Sequence, residues 1–408
     1  MGQRQDMSKN EELFSDARHE PTRNVAAEKV TFRLLSQQRA IVARGIRRKV
    51  AAGAADTLAS RVGSHFAALP DGPPIVVGAL PFDRTAPDFL FQPDAIIAGE
   101  EAKSVSGARR AIRNFASRWL VTPEPSVEAY RLAVATALAL MNGRDDLNKV
   151  VLSRSLSITA DAAIDIEGLF EKLAADGSVT SFLTCLPDDR QGPRMLVGAT
   201  PELLVAKSGS DIVSHPLAGS ARRHGDPVLD RSAGLALQRS DKDRREHRAV
   251  VEAVLDTLNP YCAELCAPDP EALTATATMW HLGTRIVGRL KDRFVPVVEL
   301  AAALHPTPAV CGLPRLRASD VISELENYDR GFYAGAVGWA DAKGDGNWFV
   351  SLRCAEIVGS RARLYAGAGI VPGSDPVAEA DETSAKFLAM LKALGVDEHG
   401  RAVAEKAA

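Results

Sequence analysis

LYAGAGIVPGSDPVAEADETSAK, residues 364–386, is the stretch that most constrains the structure of this chain. It begins with the pattern of a β-strand, which is predicted to break at the run Ala-Gly-Ala-Gly, residues 366–369. Glycines allow the backbone to approach a ligand closely, and they offer unshielded amides to an anion. We therefore expect the amides of Gly367 and Gly369 to face a bound acidic group.

A helix is predicted to follow this run. Asp375 is a typical capping residue, and Pro376 suits the first helical position. Because residues three and four apart share a helix face, three charged side chains lie together: Glu379, Glu382 and Lys386. Amides, carboxylates and an ammonium thus meet at one end of a strand–loop–helix unit. Such a unit suits a small acidic ligand held through a divalent ion.

Two other interpretations of this stretch are open from its residues alone. The helix could be a solvated one, in which an ordinary Glu382–Lys386 pair contributes about 0.3–0.5 kcal/mol. A dinucleotide-binding loop is less consistent with the pattern, since Gly367-x-Gly369 lacks a third glycine and no helix follows it directly. The rest of the chain distinguishes between these interpretations.

Composition limits the classes of function. The chain has 408 residues, 46% of them hydrophobic, and a formal net charge of −3, so nucleic acid and anionic membranes are not expected partners. No apolar run is long enough to predict a transmembrane helix. Residues 1–25 are polar and are predicted to form a disordered tail without a signal-peptide core. The five scattered cysteines indicate reduced thiols in a cytoplasm, and Cys262-x-x-x-Cys266 has no second pair with which to bind zinc.

Local patterns predict alternating helices and strands. Residues 26–70, rich in alanine and arginine, are predicted to be helical, and residues 74–82 form a buried strand. Residues 181–206 predict a hairpin. The segments 333–339 and 348–357 predict two paired strands around the turn at 343–347.

Lys149 and Glu202 each have a functional and an ordinary interpretation. Lys149 opens a strand, where lysines are usually solvated, but inside a cleft its pKa would fall towards that of a useful base. Glu202 lies between two apolar runs. It is either a turn carboxylate in water or a carboxyl in an apolar pocket, where a raised pKa would let it act as an acid.

Two more charged positions are candidates. Asp243 and Glu246 stand one turn apart near the start of a predicted helix, where acidic residues are favoured in any protein. Arg353 lies in an apolar strand and needs an anionic partner, because an unpaired buried guanidinium is very costly. That partner is either Glu356 or a carboxylate of a ligand.

Taken together, these stretches resemble the chorismate-utilising enzymes, and among them the isochorismate synthases of the siderophore (2,3-dihydroxybenzoate) type. The resemblance spans roughly residues 74–395, is richest over 145–395, and keeps the family's order. It rests on VGALPFD (77–83), KVVLSR (149–154), GATPELL (198–204), PLAGSARR (216–223), KDRREH (242–247), WHLGT (280–284), LHPTPAVCG (304–312), YAGAVGW (333–339), SLRCAEI (351–357) and AGAGIV…ET…K (366–386).

The resemblance implies an α+β fold like that of anthranilate synthase component I, with large antiparallel sheets packed together and helices outside. It implies one catalytic domain over residues 26–398, a requirement for magnesium, and a monomer. The implied substrate is chorismate, converted to isochorismate for siderophore biosynthesis in the cytoplasm.

The roles of individual residues also follow from the resemblance. Glu246 and Glu382 correspond to the carboxylates that bind magnesium, with Asp243 and Glu379 behind them. Lys149 corresponds to the base that activates water, and Glu202 to the acid at the departing hydroxyl. The substrate would contact Arg353, Lys386, Tyr333, Gly367, Gly369, Gly219, Ser220, His281 and Ala309.

Some positions depart from the siderophore-type pattern. Tyr333 and Leu352 resemble residues of salicylate synthases, which eliminate pyruvate in the same site, although menaquinone-type isochorismate synthases also tolerate them. Ala309 resembles the isochorismate group. The run Glu379–Thr383 resembles anthranilate synthases, but Lys149 stands where those enzymes have glutamine. A salicylate synthase and a menaquinone-pathway isochorismate synthase are therefore the alternatives.

Overall fold

The computed structural model describes residues 29–37, 39–68, 71–107, 116–143, 146–269 and 271–403. The predicted tail at residues 1–25 lies outside these ranges. Strands and helices are numbered along the chain, and every pairing between the strands below is antiparallel. None of the described helices is both long enough and apolar enough to cross a bilayer.

The first sheet contains ten strands. In spatial order these are β18 (Gly312–Leu313), β8 (Lys149–Ala160), β22 (Arg361–Ile370), β21 (Cys354–Val358), β10 (Arg194–Thr200), β9 (Thr180–Cys185), β1 (Val30–Leu35), β2 (Ala40–Arg44) and β6 (Ala95–Ala98), with β7 (Trp119–Glu124) also paired to β8. The longest ladder of this sheet pairs β8 with β22, and in it Val150 faces Ile370 and Thr159 faces Arg361.

The second sheet has nine strands. Their order is β14 (Cys262–Cys266), β17 (Ile286–Leu290), β12 (Asp211–His215), β11 (Leu203–Ser208), β20 (Gly346–Val350), β19 (Ala336–Asp341), β4 (Ile75–Leu80), β5 (Phe89–Gln92) and β3 (Arg48–Lys49). A third sheet has the order β13 (Leu217–Arg222), β16 (Met279–Gly283) and β15 (Ala272–Ala275).

Nine α-helices lie among the described residues. They are α1 (Leu58–Ala67), α2 (Gly99–Gly107), α3 (Val127–Asn142), α4 (Ile166–Ala174), α5 (Pro227–Arg239), α6 (Asp241–Leu258), α7 (Val297–Leu304), α8 (Arg315–Leu325) and α9 (Pro376–Leu394), and a short 3-10 turn, Ala55–Thr57, precedes α1.

The core lies on both sides of the first sheet. One buried cluster joins side chains of the two large sheets, such as Phe32, Phe182 and Trp348. A second cluster covers the other face of the first sheet, where Phe170 of α4 and Phe387 of α9 pack among residues of β8 and β22. The expected α+β architecture of large antiparallel sheets with helices is therefore confirmed.

Three local predictions are wrong. The first half of the described part of residues 26–70 forms β1, β2 and β3 rather than helices, and helix is confined to the Ala55–Thr57 turn and α1. Pairing with β9 and β6 overrides the helical propensity of alanine and arginine there.

The glycine-rich run does not break β22, because its pairing with β8 continues to Ile370.

The third error concerns residues 348–357, which were expected to form one strand. This segment is divided at residues 351–353, where the chain leaves β20 in the second sheet and enters β21 in the first. Arg353 at this crossing has a φ of 48°, in the left-handed region that non-glycine residues seldom adopt. Such a backbone is retained only where surrounding contacts determine it, which suggests a functional position.

Candidate active site

A cleft of about 770 Å³, its open mouth included, lies where β22, α6, α9 and the third sheet meet. Its size is in the range of small-molecule sites, roughly 300–1,000 Å³. All of the predicted site residues except Lys149 line it: Glu202, Gly219, Ser220, Asp243, Glu246, His281, Ala309, Tyr333, Arg353, Gly367, Gly369, Glu379, Glu382 and Lys386. Residues from distant parts of the sequence are thus brought to one place.

Lys149 lies directly behind the cleft, at the first position of β8. Only 2% of the side chain is exposed, and its Nζ is 2.9 Å from Oε1 of Glu246. The ammonium makes this ion pair but no hydrogen bond of good geometry. The nitrogen of Lys149 therefore keeps hydrogen-bonding capacity for a water or a substrate atom beside it.

Glu202 follows β10 and is 3% exposed. Burial raises its pKa to about 8, although the charges of Lys149 and Lys386 and a backbone contact with Leu217 act in the opposite direction. A carboxyl with this pKa is mostly protonated at neutral pH. It can donate a proton, as a general acid must.

Besides Glu202, four acidic side chains line the cleft, two from each of two helices. Asp243 and Glu246 come from α6, and Glu379 and Glu382 come from α9. The N-cap of α6, Ser240, accepts a hydrogen bond from the backbone amide of Asp243. Burial raises the pKa of Asp243, and so do the charges of Glu246 and Glu382. Like charges held this close favour a cation between the helices.

Lysines pair with three of these carboxylates. Besides the Lys149–Glu246 contact, Nζ of Lys242 lies 2.8 Å from Glu379, and Nζ of Lys386 lies 2.7 Å from Glu382. Glu382 also accepts a 2.7 Å hydrogen bond from Ser220. Burial opposes its ionisation, but Lys386 and Ser220 more than offset this effect and lower its pKa.

The donor set fits magnesium. Within the described ranges, no group of three or more histidine, cysteine, aspartate or glutamate side chains forms a complete metal site. Magnesium needs no such cage, since it is commonly held by one or two carboxylates together with waters and oxygens of the substrate. Glu246 and Glu382 could supply those two carboxylates.

Gly369 is required by the close approach of Glu246. A Cβ atom at this position would overlap with Oε1 of Glu246 and would lie 3.3 Å from Cε of Lys149. At Gly367, a Cβ would lie 2.9 Å from the hydroxyl of Tyr333. The two glycines thus make room for side chains rather than for a turn.

The amides of both glycines point away from β8. Ser153, opposite Gly367, donates its amide to Glu326, and Val151, opposite Gly369, donates to Cys311. In an antiparallel ladder these are non-hydrogen-bonded pairs, so the amides of the facing residues lie on the other edge of the strand. The next strand, β21, pairs with β22 only as far as Leu364, so it does not cover them.

Arg353 contacts His281 and not Glu356. Its Nη2 lies 2.9 Å from Nε2 of His281, whereas Glu356 pairs with Arg194 at 3.5 Å. Burial lowers the pKa of His281, as do the charges of Arg353 and Lys386, so the neutral ring accepts a hydrogen bond from Arg353. Burial also lowers the pKa of Arg353, to about 10, and it stays charged at neutral pH. This cation faces the cleft without a carboxylate partner among the described residues.

The structure adds lining residues that the sequence interpretation had not assigned. Lys242 had been noted only as part of KDRREH, although its spacing of four from Glu246 places both on one helix face. Tyr365 also lines the cleft and stacks on Tyr333, with ring centroids 4.9 Å apart. Its buried strand position gives no local sign of this contact.

Comparisons with known proteins agree with this geometry. A family model described as chorismate binding enzyme matches residues 94–395. Isochorismate synthase DhbC of Bacillus subtilis (strain 168) is 43% identical over 334 residues, which are 79% of this chain and 81% of the relative.

Two further matches cover more of the chain. A candidate isochorismate synthase, MenF, of Mycobacterium tuberculosis (strain ATCC 25618 / H37Rv) is 42% identical over 375 residues, 90% of this chain and 96% of the relative. The crystal structure of a candidate 2,3-dihydroxybenzoate-specific isochorismate synthase, DhbC, from Bacillus anthracis superposes with a TM-score of 0.84 at 39% identity, covering 91% of this chain and 98% of that one.

Proposed function

This chain belongs to the family of chorismate-binding enzymes, and from this premise we propose that it is an isochorismate synthase, a magnesium-dependent isomerase. The observation that supports the proposal is that two buried titratable groups, the amine of Lys149 and the carboxyl of Glu202, lie at one cleft. The reaction adds water at one ring carbon of chorismate and removes a hydroxyl from another. It needs one base and one acid, and no electron transfer.

Proton transfers follow from this assignment. Lys149, in its neutral amine form, takes a proton from the attacking water, and protonated Glu202 gives a proton to the departing hydroxyl, which leaves as water. The water lost balances the water added, so substrate and product are isomers. Because Lys149 is paired with Glu246 through only one contact, the rest of its amine can face the water.

Positive charges of the cleft would hold the substrate's carboxylates. Arg353, oriented by neutral His281, and Lys386 supply two cations, and the uncovered amides of Gly367 and Gly369 supply hydrogen-bond donors. Tyr333, Gly219, Ser220 and Ala309 would shape the pocket around the ring.

Glu246 and Glu382 would hold the magnesium ion, with Asp243 and Glu379 beside them. A bound divalent ion would neutralise carboxylate charge and orient the substrate. The crowding of four carboxylates from α6 and α9 around the cleft supports this assignment.

The direct test is to incubate the purified protein with chorismate and magnesium and to separate the products by chromatography. We expect a mixture of isochorismate and remaining chorismate, reached from either side, without pyruvate. Salicylate and pyruvate that accumulate to completion would instead show a salicylate synthase. That second candidate is favoured by Tyr333 and Leu352, which line the cleft.

We place the product upstream of a 2,3-dihydroxybenzoate siderophore, a proposal supported by the relatives named DhbC. The Mycobacterium tuberculosis relative named MenF, which matches more of the chain, keeps the menaquinone pathway as the alternative. Transcript levels distinguish the two pathways, since a siderophore enzyme should be induced by iron starvation and a menaquinone enzyme should be expressed constitutively.

A further inference from the structure

Lys242 is a lining cation to which the proposed chemistry gives no task. It lies in the first turn of α6, and its Nζ donates a 2.8 Å hydrogen bond across the cleft to Glu379 of α9. Its side chain is one-third exposed, whereas that of Glu379 is 3% exposed. The pair therefore closes the gap between the two helices that carry the four carboxylates.

The charge of Lys242 acts on the whole acidic group. Burial opposes its ionisation, but Glu379, Glu246 and Asp243 more than offset this effect and raise its pKa. Burial raises the pKa of Glu382, and the charge of Lys242 helps Lys386 and Ser220 to lower it. Lys149 and Lys386 are each tied to one carboxylate and have proposed roles towards the substrate. Lys242 also pairs with one carboxylate, Glu379, but it has no proposed role towards the substrate, so its charge is available to neutralise the acidic group.

We propose that Lys242 is a resident cation, which stabilises the facing carboxylates of α6 and α9 in the metal-free protein and competes electrostatically with magnesium. The inference rests on the proposed magnesium site and adds a residue that tunes it. Two like-charged helix turns repel each other unless a positive charge lies between them. In the metal-free protein, the ammonium of Lys242 offsets this repulsion between α6 and α9. In the metal-bound protein, the same ammonium repels the divalent ion.

One consequence is that binding of the metal alone is weakened. A substrate that contributes its own carboxylate would restore the negative charge that Lys242 offsets, so the metal would bind best together with its substrate.

The test measures magnesium chloride binding by calorimetry without chorismate, and thermal unfolding with chelator or with magnesium. Lys242→Met removes the charge and keeps most of the volume, and Lys242→Arg keeps the charge. Lys392→Met removes a lysine at the far end of α9 and serves as the matched control.

For Lys242→Met we expect magnesium to bind about tenfold more tightly than to the wild type, because one unit of nearby positive charge is lost. The same variant should unfold at a lower temperature in chelator and recover most of this loss with magnesium. Lys242→Arg and Lys392→Met should resemble the wild type in both measurements.

Unchanged or weaker magnesium binding by Lys242→Met would overturn the inference. A loss of stability in Lys242→Met that magnesium does not restore would also overturn it, because that result is expected of a purely structural ion pair. Failure of the proposed function looks different. In that case the wild type would bind magnesium, and Lys242→Met would bind it more tightly, yet chorismate would give no isochorismate.

Discussion

At the scale of single residues, the proposed reaction requires Lys149 to accept a proton and Glu202 to donate one within the same cleft. Lys149→Ala removes the proposed base and leaves the cations that hold the substrate's carboxylates. We expect turnover to disappear while chorismate binding, measured by calorimetry, stays nearly intact. If binding is lost together with activity, Lys149 holds the substrate or the structure instead of activating water.

Glu202 leads to a prediction about pH. An acid must be protonated to act, and burial raises the pKa of this carboxyl to about 8, so kcat/KM should be retained below pH 8 and fall above it. Glu202→Gln keeps the shape but has no acidic proton, and its activity should fall by about 10²–10⁴-fold. Steady-state rates between pH 6 and pH 10 check both statements. If kcat/KM of Glu202→Gln still falls above pH 8 as it does in the wild type, then a group other than Glu202 causes that fall.

Gly369 allows a carboxylate to lie against the strand. In Gly369→Ala, the new methyl group overlaps with Glu246 and must push it away from Lys149. We expect magnesium affinity and kcat to fall together, by roughly tenfold or more, with little loss of stability because Glu246 can move towards the open cleft. Gly373→Ala is the control, because an added methyl group at this position would meet no atom within 4 Å. It should lower stability through the φ of 94° at this position, without changing magnesium affinity or kcat. Normal magnesium binding by Gly369→Ala would contradict this explanation.

At the scale of elements, Arg154 connects β8 to α9. Its guanidinium donates to Thr383 at 2.8 Å and to Ser384 at 2.6 Å, and it lies 5.1 Å from the ring centroid of Phe387. These contacts fix how α9, with its carboxylates and Lys386, lies against the strand that begins at Lys149. Within the described residues Arg154 has no carboxylate in ion-pair contact, so its partners are α9 hydroxyls and a carbonyl.

Arg154→Met should therefore affect both stability and catalysis. We expect a loss of about 2–3 kcal/mol in the free energy of unfolding, from denaturant titration, because the hydroxyls lose charged hydrogen bonds. We also expect kcat/KM to fall by roughly tenfold as α9 shifts. Arg363→Met, on neighbouring β22 with a half-exposed side chain, is the matched control and should change kcat/KM little. Equal kcat/KM in both variants would mean that Arg154 only stabilises the fold.

Element boundaries show how far local patterns reach. The cap at Asp375 was predicted correctly, and it accepts from the amides of Val377 and Ala378, because capping depends on residues close in sequence. The break at 366–369 was predicted wrongly, since glycine's preference for loops was overridden by pairing with β8. Pairing partners far along the chain are invisible to a local pattern.

At the scale of the whole molecule, all parts of the cleft come from one chain. The carboxylates, the base, the acid and the cations belong to a single copy, so no second copy is required to complete the site. We expect a monomer of 43.5 kDa by light scattering at concentrations where the enzyme is active. A stable dimer with full activity would show that assembly serves a purpose outside the cleft.

The sequence by itself determined the family and the α+β class, because the motifs keep the family's order over roughly residues 74–395, and it predicted many of the side chains that line the cleft but not Lys242 or Tyr365. Periodicity alone placed Glu379, Glu382 and Lys386 on one helix face, since that relation is local. Only the tertiary structure decided that Arg353 pairs with His281 and not Glu356, that Glu246 pairs with Lys149, and that Lys242 bridges to Glu379. Each of these contacts joins residues more than 70 positions apart, and which of several possible partners a buried charge meets depends on how sheets and helices pack.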